Sequence, residues 1–377
     1  MTIQQLRIRS LRNHRLTTLD CPAGIVLLWG DNGAGKTTVL EGISMLCTTR
    51  SFVTTQDRVL LATGDTEFDL GGSFRTDGGS QHTVEVRFGA SLRKSISFDN
   101  ARVPSSADVI GRFPLVALSP HHRAITAGGP AERRTFIDFV VSQVHHAYLL
   151  DLIEYRRILR QRNALLLRAD LSYAQRVAQL DPWTRTFAEH AVRIVRKRLA
   201  FLAEFFPYFD AAMRDIAAER ELPALRYNAS ADIDYQHADA VDLFEEAARS
   251  RVDADVRRGS TGLGPHRDEL ELLVNGLDVR AHASQGQHKS MLIALKIGEA
   301  RYLADRLDER PILLFDDIFS ELDDVRLSRI LDLVRPLGQV FITTANAAVA
   351  RLMPAGDTDI GVYHVREGHV QREAVPA

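Results

Sequence analysis

The sequence predicts an α/β fold with mixed sheets, split into two lobes by an inserted α-helical arm. Three observations predict it. An apolar run, Ile25-Val26-Leu27-Leu28-Trp29, leads straight into a Gly-rich segment, Gly30 to Thr37, and then into a helical pattern from Thr38 to Ile43. A second apolar run, Pro311 to Phe315, ends in Asp316-Asp317 about 280 residues later. Between them, from Ala131 to about Phe206, the apolar period becomes helical. The expected order is a first lobe over 1–130, a helical insert over 131–255 and a second lobe over 256–377.

Residues up to about 125 read mostly as strands. Val84-Glu85-Val86-Arg87-Phe88 alternates as a half-buried strand does. Ser95 to Phe98, Asp99-Asn100 and Arg102-Val103 read as a hairpin. In the insert, Leu149, Leu152, Ile153 and Leu159 or Arg160 mark one face of a long helix. Asp181-Pro182 opens a second, through Phe187, Ile194, Leu202 and Phe205, stopped near Pro207. Each is expected to run for about 25 residues, roughly 35 Å. A short helix is expected over Val241 to Ala248. Glu269 to Val274, an Asn275-Gly276 turn and Leu277 to Ala281 form the strongest hairpin signal of the chain. The polar tail after Gly368 is expected to fray.

Gly30-Asp31-Asn32-Gly33-Ala34-Gly35-Lys36-Thr37 fits the phosphate-binding P-loop pattern. Glycines let backbone N–H groups curl around a phosphate, and the helix that follows adds a partial positive charge. Lys36 is placed for the β- and γ-phosphates, the Thr37 hydroxyl for Mg²⁺, and Thr38 continues the loop into the helix. The reading is an ATP site with Mg²⁺ as cofactor.

Pro311-Ile312-Leu313-Leu314-Phe315-Asp316-Asp317 fits the Walker B strand. Asp316 is expected beside the metal held by Thr37, and Asp317 is expected to polarise the attacking water, which makes Asp317 and Lys36 the catalytic candidates. Upstream, Ser284-Gln285-Gly286-Gln287-His288-Lys289 opens a helix through Leu292, Leu295 and Ile297. Such a start suits either a plain helix cap or a phosphate. Downstream stands Ser320-Glu321-Leu322-Asp323. The order S-x-G-Q, Walker B, S-x-L-D is the layout of ABC-type heads. In that class Ser284, Gly286 and Gln287 of one subunit would close over the γ-phosphate held by the other.

The whole chain resembles the RecF family of recombination mediators, which shares its head with SMC proteins. The resemblance rests on Leu11-Arg12-Asn13-His14-Arg15, Arg50-Ser51-Phe52, Leu118-Ser119-Pro120, Gly129-Pro130-Ala131-Glu132-Arg133-Arg134 and Gly264-Pro265-His266-Arg267-Asp268-Glu269-Leu270. The last is the discriminating element, because transporter ATPases lack it. His121-His122 stands where the family has an acidic pair, Glu269 replaces an Asp, and Ser119 is the nearest polar residue to the missing lobe-linking Gln. The resemblance implies an ABC-type/SMC-like head with a short arm. It implies a homodimer formed on ATP. Asp317, where transporter ATPases carry Glu, has a shorter reach to water and suits slow, switch-like hydrolysis. The resemblance implies clamping of gapped DNA or single-strand/duplex junctions, while two cysteines and no membrane-length apolar run read as reducing cytoplasm. RecR would be a partner, and RecA loading in repair, replication and the SOS response the outcome. The resemblance places adenine contacts at Arg12 and Asn13. Two alternatives stand beside it, an SMC-like structural DNA organiser and a transporter-type ATPase subunit. The latter usually carries a histidine where Val340 to Thr344 ends in Thr.

Composition is ordinary for a soluble chain, with 45% apolar and 25% charged residues and no apolar run of membrane-spanning length. Cys21 and Cys47 are too few for a disulfide framework, and Cys47 is expected in the core. His121-His122 and His145-His146 lack zinc spacing. Net charge is −2, yet residues 131–200 hold 13 Arg plus Lys against 7 Asp plus Glu. Arg156, Arg157, Arg160 and Arg162 cluster on one expected helix, and Arg193, Arg196, Lys197 and Arg198 on another. Such clusters serve as a DNA-facing patch or as a solvated face.

Overall fold

The computed structural model describes residues 1–89, 94–217, 221–318, 324–353 and 357–374. Two compact units divide the chain: Met1–Arg123 with Ser290–Ala377, and Ala124–Lys289. The first opens with β1 (Thr2–Leu11), β2 (His14–Asp20), β3 (Ile25–Trp29) and α1 (Lys36–Thr48). β4 (Glu67–Arg75), β5 (Gln81–Gly89), β6 (Ser95–Phe98), β7 (Ala101–Arg102) and β8 (Leu115–Leu118) follow. α2 (Arg123–Ala127) stands at the boundary. The second unit carries α3 (Pro130–Val144), α4 (His146–Leu166), α5 (Tyr173–Ile216), β9 (Pro223–Asn228), α6 (Ala240–Ser250), α7 (Val252–Arg258), β10 (Glu269–Val274), β11 (Leu277–Asp278) and α8 (Val279–His282). After α9 (Gln285–Leu307), the first unit adds β12 (Ile312–Asp316), α10 (Asp324–Val334), β13 (Val340–Thr344), β14 (Ile360–Arg366) and β15 (His369–Glu373).

Two six-stranded sheets build the first unit. One is antiparallel, in the order β2-β1-β4-β5-β6-β7, and its β6–β7 turn sits on Asp99 and Asn100 at positive φ, as that hairpin's sequence predicts. The other runs β15-β14-β3-β13-β12-β8, parallel except for β15. β3 lies between β14 and β13, so both neighbours of the strand feeding the P-loop come from the far end of the chain. Residues 369–373 of the tail do not fray: β15 pairs with β14 from Val362/Glu373 to Arg366/His369. α1 packs against β1, β4 and β5 of one sheet and β8, β12 and β13 of the other. Its residues are buried almost throughout, Cys47 included, because a helix with apolar groups on every face must be covered on every face.

The second unit is wider than the expected insert of 131–255. β9, β10 and β11 form a three-stranded sheet on which α3 and α5 pack, so the strands belong with the helices. The Asn275-Gly276 turn joins β10 to a strand of two residues, after which the chain turns helical rather than continuing extended to Ala281. α5 overturns another expectation. It runs for 44 residues, ~66 Å, through Pro182 and Pro207. Its true start is Ser172, whose hydroxyl accepts from Gln175 N in a capping box. An interior proline removes one backbone bond and costs about 3 kcal/mol. Burial of Leu180, Phe187, Ile194, Phe201, Phe205 and Phe209 along one face outweighs that.

The element Gly264 to Leu270 is the joint of this unit. The Arg198 guanidinium donates to Asp138 Oδ1 at 2.8 Å, to Pro265 O at 2.7 Å and to the Tyr227 hydroxyl at 3.1 Å. Tyr227 in turn donates to Asp268 at 2.5 Å. The Tyr155 hydroxyl meets His266 Nδ1 at 2.5 Å, while His266 Nε2–H donates to Thr261 O at 3.0 Å. Gly264 has φ +128°, and a Cβ there would collide with the Tyr155 hydroxyl.

Candidate functional site

β3 ends at Trp29, and the chain turns through Gly30, Gly33 and Gly35, all at positive φ, into the first turn of α1. Gly30 is required because a Cβ would strike Val365 O of β14. Gly35 is required because a Cβ would fall 2.5 Å from His14 Nε2. The loop is held from outside at three points. His14 Nε2–H donates to Gly35 O at 3.0 Å, Asn13 donates to Gly33 O at 3.2 Å, and Gly368 N donates to Ala34 O at 2.9 Å. Burial pushes the His14 imidazole below its ordinary pKa, and its Nδ1 lies 2.8 Å from the Thr17 hydroxyl, which donates to Gly368 O at 3.1 Å.

Lys36 is buried and its ammonium donates to Gly30 O at 2.7 Å and Asp31 O at 2.9 Å. Burial lowers its pKa, and Asp317, Asp316 and Asp31 pull it back up. Across the sheet, the Thr37 hydroxyl donates to Asp316 Oδ1 at 2.7 Å, and the buried Thr343 hydroxyl donates to the same oxygen at 2.7 Å. Asp317, at φ +48°, donates its backbone N–H to Thr343 Oγ1 at 2.9 Å. The two carboxylates therefore diverge: Asp316 is fixed by two hydroxyls, and Asp317 turns into a cavity of about 450 Å³. That cavity is lined by Asn32, Gly33, Gly35, Lys36, Thr37 and Thr38 of the loop and helix start, and by Arg12, Asn13, Glu41 and Val53. Hard oxygens at Thr37 and Asp316 suit a magnesium ion that completes its shell with phosphate and water.

The structure thus brings together the P-loop, Asp316 and Asp317. Gly30, Asp31 and Ala34 shape the loop without lining the cavity. Ser284, Gly286 and Gln287 belong to the second unit and lie outside the cavity's lining. They form a capping box: Ser284 N donates to Gln287 Oε1 at 2.9 Å, and Gln287 N to Ser284 Oγ at 3.2 Å. Ser284 and Gly286 are exposed. Ser320 to Asp323 lies outside the described residues. Ser119 caps the turn 120–122 and its N–H donates to His122 Nδ1 at 3.0 Å; it does not line the cavity. Among the described residues no cluster of histidine, cysteine and carboxylate side chains could hold a metal by itself, and no helix is long and apolar enough to cross a membrane.

Sequence reasoning missed Thr343 and Glu41. Thr343 is marked only as one of two threonines that close an apolar strand. Glu41 is marked by being a carboxylate in a helix buried on all sides, where it pairs with Arg12. The basic clusters also divide differently from their sequence grouping. Arg162 and Arg198 are buried; Arg162 donates to Thr184 at 2.8 Å and stacks on Phe187. Arg157 pairs with Glu154, Arg193 with Asp151, Arg156 with Asp138, and Arg196 donates to two carbonyls. Arg160 and Lys197 are exposed.

A P-loop opening a buried helix, a strand ending in paired carboxylates in the same sheet with β13 between it and β3, and a helical unit inserted between the two in sequence define an SMC-type head domain. The RecF/RecN/SMC N terminal domain model matches residues 2–371. The chain is 38% identical over 351 residues to the DNA replication and repair protein RecF of Chloroherpeton thalassium, covering 91% of this chain and 95% of that one. A solved structure of the recombination mediator protein RecF with ATP superposes with a TM-score of 0.89 at 27% identity, covering 99% of this chain and 97% of that one. An Smc head bound to a domain of ScpA shares the fold, with a TM-score of 0.54 at 11% identity. The chain belongs to the RecF family.

Proposed function

We propose that the chain is a recombination mediator of the RecF type that binds ATP in the 450 Å³ cavity and uses its hydrolysis as a switch. The observation that carries the reading is the 2.7 Å hydrogen bond from Thr37 to Asp316, which joins the P-loop to the Walker B strand across 279 residues. Thr37 and Asp316 would hold Mg²⁺, which on binding neutralises charge on the β- and γ-phosphate oxygens. The N–H groups of Gly33 to Thr38 would face the phosphates, and Lys36 would exchange the carbonyls of Gly30 and Asp31 for phosphate oxygens. Asp317 would orient and deprotonate the attacking water. Ser284 and Gly286, exposed at the start of α9, and the partly buried Gln287 would close over the γ-phosphate held by a second copy. Arm residues such as Arg160 and Lys197 would meet DNA phosphates. Family membership supports gapped or junction DNA, RecR and RecA loading as the setting, and sets a transporter subunit aside. The α4 and α5 helices, of 21 and 44 residues, form a packed arm rather than a long SMC tether.

The test is molecular mass by light scattering with and without Mg-ATP, followed by DNA binding under the same conditions. A dimer that appears with ATP, disappears in Lys36→Ala, and alone retains junction DNA supports the reading. Full ATP affinity in Lys36→Ala overturns the site.

A further inference from the structure

We infer that Glu41 is a positioning residue, which fixes the Arg12 guanidinium in the cavity wall and, through Ser51, ties the loop carrying Val53 to the same point. The inference rests on the nucleotide reading above and concerns the part of the cavity lining outside the P-loop.

Glu41 is fully buried, one turn and a half beyond Lys36 on α1. Nothing in the P-loop pattern requires a carboxylate there, and an isolated one is costly to bury. It is not isolated. Arg12 Nη2 donates to its Oε1 at 2.8 Å, and Arg12 Nε stands 2.7 Å from its Oε2, so one charge-assisted hydrogen bond and a close ion pair hold the two side chains together. That contact holds the guanidinium at one end, while over a third of the Arg12 side chain stays exposed. Arg12 itself sits at φ +50°, a backbone shape that turns its side chain off the strand direction.

The same Oε1 accepts from the Ser51 hydroxyl at 2.7 Å. Ser51 Oγ in turn accepts from Val53 N at 3.0 Å and Thr54 N at 3.2 Å. One carboxylate therefore sets two pieces of wall, a planar cation and an apolar side chain. A flat cation beside an aliphatic surface suits the faces and edges of a nucleobase with its ribose, whereas the glycine loop and Lys36 suit phosphate.

Binding of ATP and of inorganic tripolyphosphate, measured by calorimetry in the presence of Mg²⁺, separates the two parts of the lining. Wild type should bind both. Glu41→Gln should weaken ATP about tenfold and leave tripolyphosphate within twofold. Arg12→Ala should do the same, and the double variant should be no worse than either single one, because Glu41 acts through Arg12. Ser51→Ala, which deletes only a hydroxyl, should give a smaller loss confined to ATP, restored in Ser51→Thr. If Glu41→Gln does not fold, as judged by circular dichroism, the Ser51 pair decides. Equal loss of ATP and tripolyphosphate, additive Arg12 and Glu41 effects, or ATP affinity unchanged in both Glu41→Gln and Ser51→Ala overturns the inference. A wild type that binds neither ligand overturns the nucleotide reading instead.

Discussion

Arg198 on α5 reaches Asp138 on α3 at 2.8 Å, and both are buried. The Tyr148 hydroxyl donates to the same Asp138 oxygen at 2.5 Å, and Arg198 also holds Pro265 O. One guanidinium thus joins α3, α5 and the Gly264–Leu270 element, whose presence in the sequence singled out the family.

Arg198→Met should therefore destabilise the second unit, because Asp138 would keep only Tyr148 and the half-exposed Arg156 as partners. Breaking a buried pair on one side costs about 3–5 kcal/mol. Thermal unfolding should show a lowered transition. DNA affinity per folded molecule should not change, which distinguishes an anchor from a phosphate contact.

His266 gives the same joint a pH dependence. Burial holds its imidazole down at about 4, against 6.5 when free. The unfolded chain takes up a proton below 6.5 while the folded chain does not. Its contribution is therefore complete above pH 6.5 and shrinks as pH falls toward 4, by ~3 kcal/mol at most. Urea unfolding at pH 7.5, 6 and 5 should show this slope, and His266→Asn should flatten it.

Asp317→Asn keeps the shape of the Walker B loop, which depends on the backbone bond to Thr343. We expect normal ATP binding, a persistent dimer and hydrolysis lowered ~10²-fold or more. Lost ATP binding, measured by fluorescence, would make Asp317 a metal ligand and reverse the roles of the two carboxylates.

Ser284→Arg places a bulky cation at an exposed helix start. ATP affinity of the monomer should stay within about twofold, while the ATP-induced dimer and the DNA binding that needs it are lost. Wild-type mass by light scattering with ATP would remove the shared site.

The P-loop and Asp316-Asp317 were legible because their chemistry is local, a fixed spacing of glycines and a strand ending in carboxylates. Thr343 was not, since a threonine near the end of a strand carries no sign of which oxygen it will hold. Arg162 and Arg198 read as members of basic clusters because charge counts ignore partners. Thr184 lies 22 residues from Arg162, and Asp138 lies 60 from Arg198. Pro182 and Pro207 read as helix bounds because a proline's local penalty is visible in sequence, while the aromatic core that overrides it is not. β9 was missed because it is short, begins at Pro223 and gains its partner only at Glu269–Val274.

The place of β3 between β14 and β13 bears on how the chain is made. β3 leaves the ribosome with both edges bare, and its first partner, Val340, follows Ile25 by 315 residues. At ~5–20 residues per second, that is a wait of roughly 15–60 s. In that time β1, β2 and β4 to β7 can pair, and α1 can cover their inner face. The Ile-Val-Leu-Leu-Trp edge meanwhile stands as a template for any stray strand. The phosphate seat is thus among the last parts of the molecule to exist, and a nascent chain cut short before β13 would carry the whole P-loop sequence without the sheet that gives it shape.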